Sequence, residues 1–178
     1  MNTRAGYTLY CTMHVPGSSP RDRRFRLSAP LALALLLPAC AMQPTAPSPP
    51  TPASLAANVQ LCVDEINRYR ASIGRPALSR SDALDQFAAQ AAEHDHSAGV
   101  PHLLFRNTNG GGGVAMAETE LLHWTNYAVR DVIKEGLAGM WAVGPGGEHY
   151  SILSGNYTQV GCGVYVNGSA VSVAQDFR

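Results

Sequence analysis

Between residues 157 and 177 the side chains alternate so regularly that the backbone has one economical solution. Val160, Cys162, Val164 and Val166 interleave with Gln159, Gly161, Gly163 and Tyr165, the two-residue period of an extended strand with one face buried. Asn167-Gly168 then offers the residue pair that a tight type I′ turn requires, and Val171, Val173 and Phe177 continue the pattern on a returning strand. The spacing predicts a C-terminal antiparallel β-hairpin.

Upstream the period lengthens to that of a helix. Val59, Cys62, Val63, Ile66, Tyr69 and Ile73 recur at three- and four-residue steps, with Asp64, Glu65, Asn67, Arg68 and Arg70 on the other side. Gly74 is placed to cap this helix and Pro76 to stop it. A second helix opens at Ser81 or Asp82 and turns Leu84, Phe87, Ala88, Ala91 and Ala92 inward, an alanine-lined face suited to close packing. A third is expected from Thr125 or Asn126 to about Met140, with Val129, Val132, Ile133, Leu137 and Met140 buried. Helices followed by a hairpin define an α+β layered domain, and 178 residues with 46% apolar side chains suffice for one core.

The first 39 residues are read as an export signal and set apart from the fold. Arg21, Arg23, Arg24 and Arg26 precede the apolar run Leu27 to Leu37, eleven residues, whereas a membrane-spanning helix needs roughly 20. Leu37-Pro38-Ala39-Cys40 resembles a bacterial lipobox, whose cysteine is diacylated and becomes the mature N-terminus, although Pro38 departs from the usual small residue. Ala39-Cys40-Ala41 also reads as an ordinary cleavage site that would release a soluble secreted or periplasmic protein. Arg23-Arg24-Phe25 is a weak twin-arginine match, and Met13 is an alternative start. Residues 40–54, with Pro44, Pro47, Pro49, Pro50 and Pro52, form a stiff, extended tether without a core, so the domain is expected over 55–178. Lipidation at Cys40 would make the membrane a partner, the outer membrane in a Gram-negative cell given Ala41.

From Cys40 onward, eight basic residues stand against twelve acidic ones, a net charge near −4. The arginines are scattered rather than clustered, so a nucleic-acid partner is not expected. With Cys40 acylated and Cys11 removed with the leader, Cys62 and Cys162 remain as a pair in an oxidising compartment. A disulfide between them would clip the first helix to the hairpin; the alternative is two small buried thiols.

Several fragments, in their order, resemble one extracellular family. Trp141, Pro145, His149, Ile152-Leu153 and Tyr157-Thr158-x-Val160-Gly161-x-Gly163-Val164 follow the C-terminal pattern of the CAP superfamily, also called SCP-like extracellular proteins. Glu65-Ile66-Asn67-Arg68-Tyr69-Arg70 and Gly74-x-Pro76-x-Leu78 are similar to its opening motif. The resemblance covers roughly Leu55 to Phe177 and implies a three-layer α-β-α sandwich.

It also implies a cavity built from two histidines and one or two glutamates. His149 matches the second histidine, and Glu118, in Ala117-Glu118-Thr119, the glutamate. For the first histidine His102 is the better match and His96 the alternative. The further glutamate that many relatives carry beyond the tryptophan is missing after Trp141, and Glu148 is the only nearby substitute. His102, Glu118 and His149 would make a plausible ligand set for Zn²⁺ or another divalent metal with one open position; without metal they would supply an acid and a base near neutral pH. Gly110 to Gly113 lack the Lys-Ser or Lys-Thr of a phosphate cradle and are read as a flexible loop beside the cavity.

Three functions fit these residues: a surface-tethered protein binding a small apolar or peptide ligand, a metal-dependent hydrolase of the cell envelope, or a non-catalytic structural module. No Gly-x-Ser-x-Gly elbow or His-Glu-x-x-His motif is present to favour hydrolysis.

Overall fold

A computed structural model describes residues 51–178; the leader, Cys40 and the tether up to residue 50 lie outside them. Thr51 caps α1 (Pro52–Ala71), its Oγ1 accepting from the Ser54 N–H at 3.2 Å. Pro52 suits the first helical position because it has no N–H to leave unpaired, so the helix starts within the segment expected to be tether. β1 (Ser79–Arg80), α2 (Asp82–Ala98), α3 (Leu103–Gly113), β2 (Ala117–Thr125), α4 (Val129–Ala142), α5 (Glu148–Leu153), β3 (Gln159–Asn167) and β4 (Ala170–Phe177) follow. No helix among the described residues is long and apolar enough to cross a membrane.

The four strands form one sheet in the order β1-β3-β4-β2, with β1 parallel to β3 and the other pairs antiparallel. The expected hairpin is β3–β4, in register from Val160↔Phe177 to Asn167↔Ala170. Alternation sorts the side chains between two helical layers. Val160, Cys162, Val171, Val173, Phe177 and Leu121 join Cys62, Ile66, Val132, Ile133, Leu137 and Leu153 in the main core, which places α1, α4 and α5 on one face. Gly161, Gly163, Ala174 and the two glutamates of β2 turn to the other, where α2 lies.

On that second face the packing is backbone to backbone. A Cβ at Gly161 would overlap Leu84 and Asp85, and one at Gly163 the backbone of Ala88 and Ala89. Ala88, Ala91 and Ala92 are fully buried against this strand, so helix and sheet approach more closely than larger side chains would permit. The Asp85 carboxylate accepts from the Cys162 N–H at 2.8 Å and fixes the register. Cys62 and Cys162 are joined in a disulfide that closes a separation of 100 residues and ties α1 to β3.

Several details depart from the sequence reading. Arg70 was expected on the polar side of the first helix but is buried, donating to the carbonyls of Pro76, Leu153 and Gly155 at 2.9–3.0 Å. Ile73, expected inside, is 43% exposed because the helix ends at Ala71. The third predicted helix, now α4, starts at Val129 and not at Thr125 or Asn126: Thr125 still pairs with Ala170 in β2, and Asn126 has φ 65°. Gly110 to Gly112, with Asn109, form a left-handed turn with φ between 51° and 72°, a conformation that glycine and asparagine adopt at little cost. A Cβ at Gly110 would overlap the Ala115 carbonyl, and one at Gly111 would press on the Phe87 ring at 2.8 Å. Gly110 and Gly111 are thus packed, whereas Gly112 and Gly113 are exposed with open space around them.

Candidate functional site

The site grows from β2. Its residues at 117, 119 and 121 face the α1 layer, which leaves Glu118 and Glu120 side by side on the α2 face. The chain leaving α2 turns at Gly99 (φ 68°) and reaches His102, itself in the left-handed region at φ 59°. A histidine held there is strained unless its surroundings hold it, and two glutamates do so. The His102 backbone N–H donates to Glu120 Oε2 at 2.9 Å, and its Nδ1 lies 2.9 Å from Glu118 Oε1.

Electrostatics follow from burial. Glu118 has a side chain 1% exposed while that of His102 is 31% exposed, so the imidazole forms the solvent edge of the site and the carboxylate its floor. The hydrogen bond to Glu118 raises the His102 pKa above the usual imidazole value, outweighing desolvation. Burial raises Glu118 although the same bond opposes it; together the pair keeps a proton to higher pH than either group alone. Burial pushes Glu120 up to about 7. Glu118 Oε2 and Glu120 Oε1 have no hydrogen-bond partner. One ligand atom each from His102, Glu118 and Glu120 lie within 4.8 Å of one another.

Of the residues anticipated from sequence, His102 and Glu118 meet. His149 does not join their group: it is half-buried on α5, which packs with α1 and α4 on the opposite face of the sheet. Glu148 is exposed at the start of α5. His96, the alternative first histidine, is buried elsewhere on the α2 face, its Nδ1 2.8 Å from Ser172 Oγ and its ring edge-on to His123. Glu120 takes the third place. Its position two residues from Glu118 was the available signal, since residues i and i+2 share a face once the segment is a strand.

A four-stranded mixed sheet thus lies between two helical layers, with the His–Glu group on the α2 side. Residues 63–177 match the model of CAP, the cysteine-rich secretory protein family, and the chain belongs to that family. The CAP domain of enterococcal PrgA is similar with a TM-score of 0.57 and 15% identity, covering 71% of this chain and 62% of that one. An extracellular SCP-domain protein of Bacillus anthracis is similar with a TM-score of 0.51 and 20% identity, covering 74% and 45%. At these identities the likeness is one of fold, and this chain spans less than two thirds of either protein. No curated protein matches in sequence.

Proposed function

We propose that this chain is an exported binding protein of the CAP family, held at the cell envelope through lipidated Cys40, whose His102–Glu118–Glu120 group takes a divalent cation. The observation that carries the reading is the convergence of these three ligand atoms within 4.8 Å, beside two buried carboxylate oxygens that no protein donor satisfies. Such oxygens are costly unless something neutralises them. A bound cation would supply a positive charge with a coordination position open toward solvent, where a carboxylate or carbonyl of a small or peptide ligand can complete the sphere. Glu118 and Glu120 fix the ring and the backbone of His102, so the imidazole is already oriented.

Export is supported by the basic and apolar leader before Cys40 and by the Cys62–Cys162 disulfide, which belongs to an oxidising compartment. The metal-dependent hydrolase reading would use the same cation to activate a water, and turnover of a peptide substrate is what would favour it over binding alone. A purely structural module would be expected to satisfy its own buried oxygens.

Metal analysis of the full-length protein, with and without His102→Gln and Glu118→Gln, tests the site. Stoichiometric divalent metal in the parent, lost in both variants while the fold is retained, is the expected result. A parent that binds no divalent ion overturns the reading. Incorporation of radiolabelled palmitate, abolished in Cys40→Ala, tests the anchor separately.

A further inference from the structure

At the end of β2 away from the two glutamates, the strand is held by histidines. Its register with β4 shifts between Leu121 and Trp124, and beyond that bulge the pairs are Trp124↔Val171 and Thr125↔Ala170. His123, inside the bulge, has φ 56°, a conformation that costs a residue with a Cβ unless its surroundings hold it. Two hydrogen bonds do so. Its backbone N–H donates to Ser172 Oγ at 3.1 Å, and its Nε2 donates to the His96 carbonyl at 2.8 Å.

Ser172 is fully buried, and the bonds around it dictate where the protons sit. Its Oγ accepts from His123 and lies 2.8 Å from His96 Nδ1, and among the described residues its hydroxyl has no other acceptor. The hydroxyl proton is therefore donated to His96 Nδ1, which requires a neutral imidazole carrying its proton on Nε2. A proton on Nδ1 would turn that acceptor into a donor and leave the buried Ser172 hydroxyl proton without a partner. It would also set a cation against the edge-on ring of His123, whose centroid is 4.3 Å away. His123 is exposed and keeps its bond to the His96 carbonyl when charged, because that bond uses Nε2–H.

The remaining neighbours of His96 offer no compensation. β3 presents the Tyr165 ring edge-on at 5.0 Å, and β4 presents Ser172. Asp95, preceding it on α2, is bonded to His94 and to the Leu104 N–H. Glu118 and Glu120 of β2, Asp176 of β4 and Arg106 of α3 make no hydrogen bond or ion pair with His96. Burial first, and then His123, hold the His96 pKa below the ordinary imidazole value.

We propose that His96, Ser172 and His123 form an acid-sensitive latch on the end of the edge strand, in which protonation of His96 breaks its contact with Ser172 and frees residues 122–125 from β4. Native His96 takes up its proton less readily than the unfolded chain does, so the latch is closed above the ordinary imidazole range and its contribution is lost as pH falls through it. It uses none of the His102, Glu118 and Glu120 side chains and holds whether or not they take a cation.

Hydrogen–deuterium exchange of the full-length protein at pH about 7.5 and about 5, each corrected for the intrinsic exchange rate, tests the latch. It is measured on the parent and on His96→Asn, whose side-chain carbonyl accepts from Ser172 at both pH values and does not titrate. In the parent the amides of residues 122–126 are expected to lose about tenfold in protection at the lower pH, while those of residues 160–164 in β3 keep theirs. His96→Asn is expected to abolish the change. Protection of residues 122–126 that is the same at both pH values in the parent overturns the proposal, and so does a change that His96→Asn retains in full. If His96→Asn does not fold, NMR titration of the parent decides: a His96 midpoint below about 6.5 that coincides with loss of His123 amide protection is expected. A midpoint at or above about 6.5, or a segment that opens while His96 is still neutral, overturns the latch.

Discussion

Glu118 and Asp176 stand directly opposite one another on β2 and β4, two buried acids on one face of the sheet. Directly paired like charges destabilise a sheet, and burial, reinforced by Glu118, Glu120 and Asp95, pushes Asp176 up to about 9. Burial likewise raises Glu120 to about 7. These folded-state values lie above the unfolded ones, so the native state holds protons that the unfolded chain has released. The acids therefore remove stability as pH rises from about 4 toward 9. In metal-free protein, Asp176→Asn should add on the order of several kcal/mol at pH 8, because the amide needs none of the proton uptake that the buried carboxyl requires there. The gain should shrink toward pH 4. Urea denaturation at the two pH values measures it, and a variant less stable than the parent at pH 8 would contradict the electrostatics.

The His102–Glu118 hydrogen bond predicts a histidine that titrates high. In Glu118→Gln the neutral amide no longer stabilises the imidazolium, so the His102 midpoint should fall. NMR titration of the His102 ring reads this directly. An unmoved midpoint would mean that the bond does not hold the proton. Because a raised histidine stabilises the fold below its unfolded pKa and loses that effect as pH rises through the folded value, the variant should also lose stability near pH 6.

Reducing the Cys62–Cys162 bond, or replacing both residues by Ser, releases a loop of 100 residues. Loop entropy sets an upper figure of about 4.7 kcal/mol, and 2–4 kcal/mol is usual. A fall in melting temperature is expected on adding reductant to the parent and none on adding it to the double variant. Calorimetry with and without reductant decides.

Two glycines should respond in opposite directions to alanine. Gly163→Ala drives a methyl into the backbone of Ala88 and Ala89 and is expected to cost about 1–3 kcal/mol, the usual penalty of overpacking. Gly139, inside α4, has nothing near its Cβ position, so Gly139→Ala should stabilise by up to about 1 kcal/mol through helix propensity. Chemical denaturation of the two variants side by side checks the contrast.

What was legible in the sequence follows from which residues had a single physical reading. The hairpin and the second helix were, because β-branched alternation and an alanine stripe against glycines admit few alternatives. β2 was not: Glu118 was legible only through the family pattern and Glu120 carried no signal of its own, since strands seldom bury acids, and tertiary context overrode propensity. Asp176 was hidden for the same reason, although the apolar residues 171, 173 and 177 already fixed its face. Arg70 looked like an ordinary polar helix position, and nothing local announces that three distant carbonyls require it. His149 carried the family pattern in its neighbours, yet which layer its helix joins is a matter of topology that a linear motif does not encode.

The strand order has a consequence for how such a domain is made. β4 lies between β3 and β2, so the piece of the domain synthesised last is a central one. β2 has no partner strand until β4 has formed, whereas β3 already meets β1, and non-local pairing of this kind is slow to form. The hairpin's second strand therefore completes the sheet, and with it the face on which Glu118 and Glu120 stand beside Asp176.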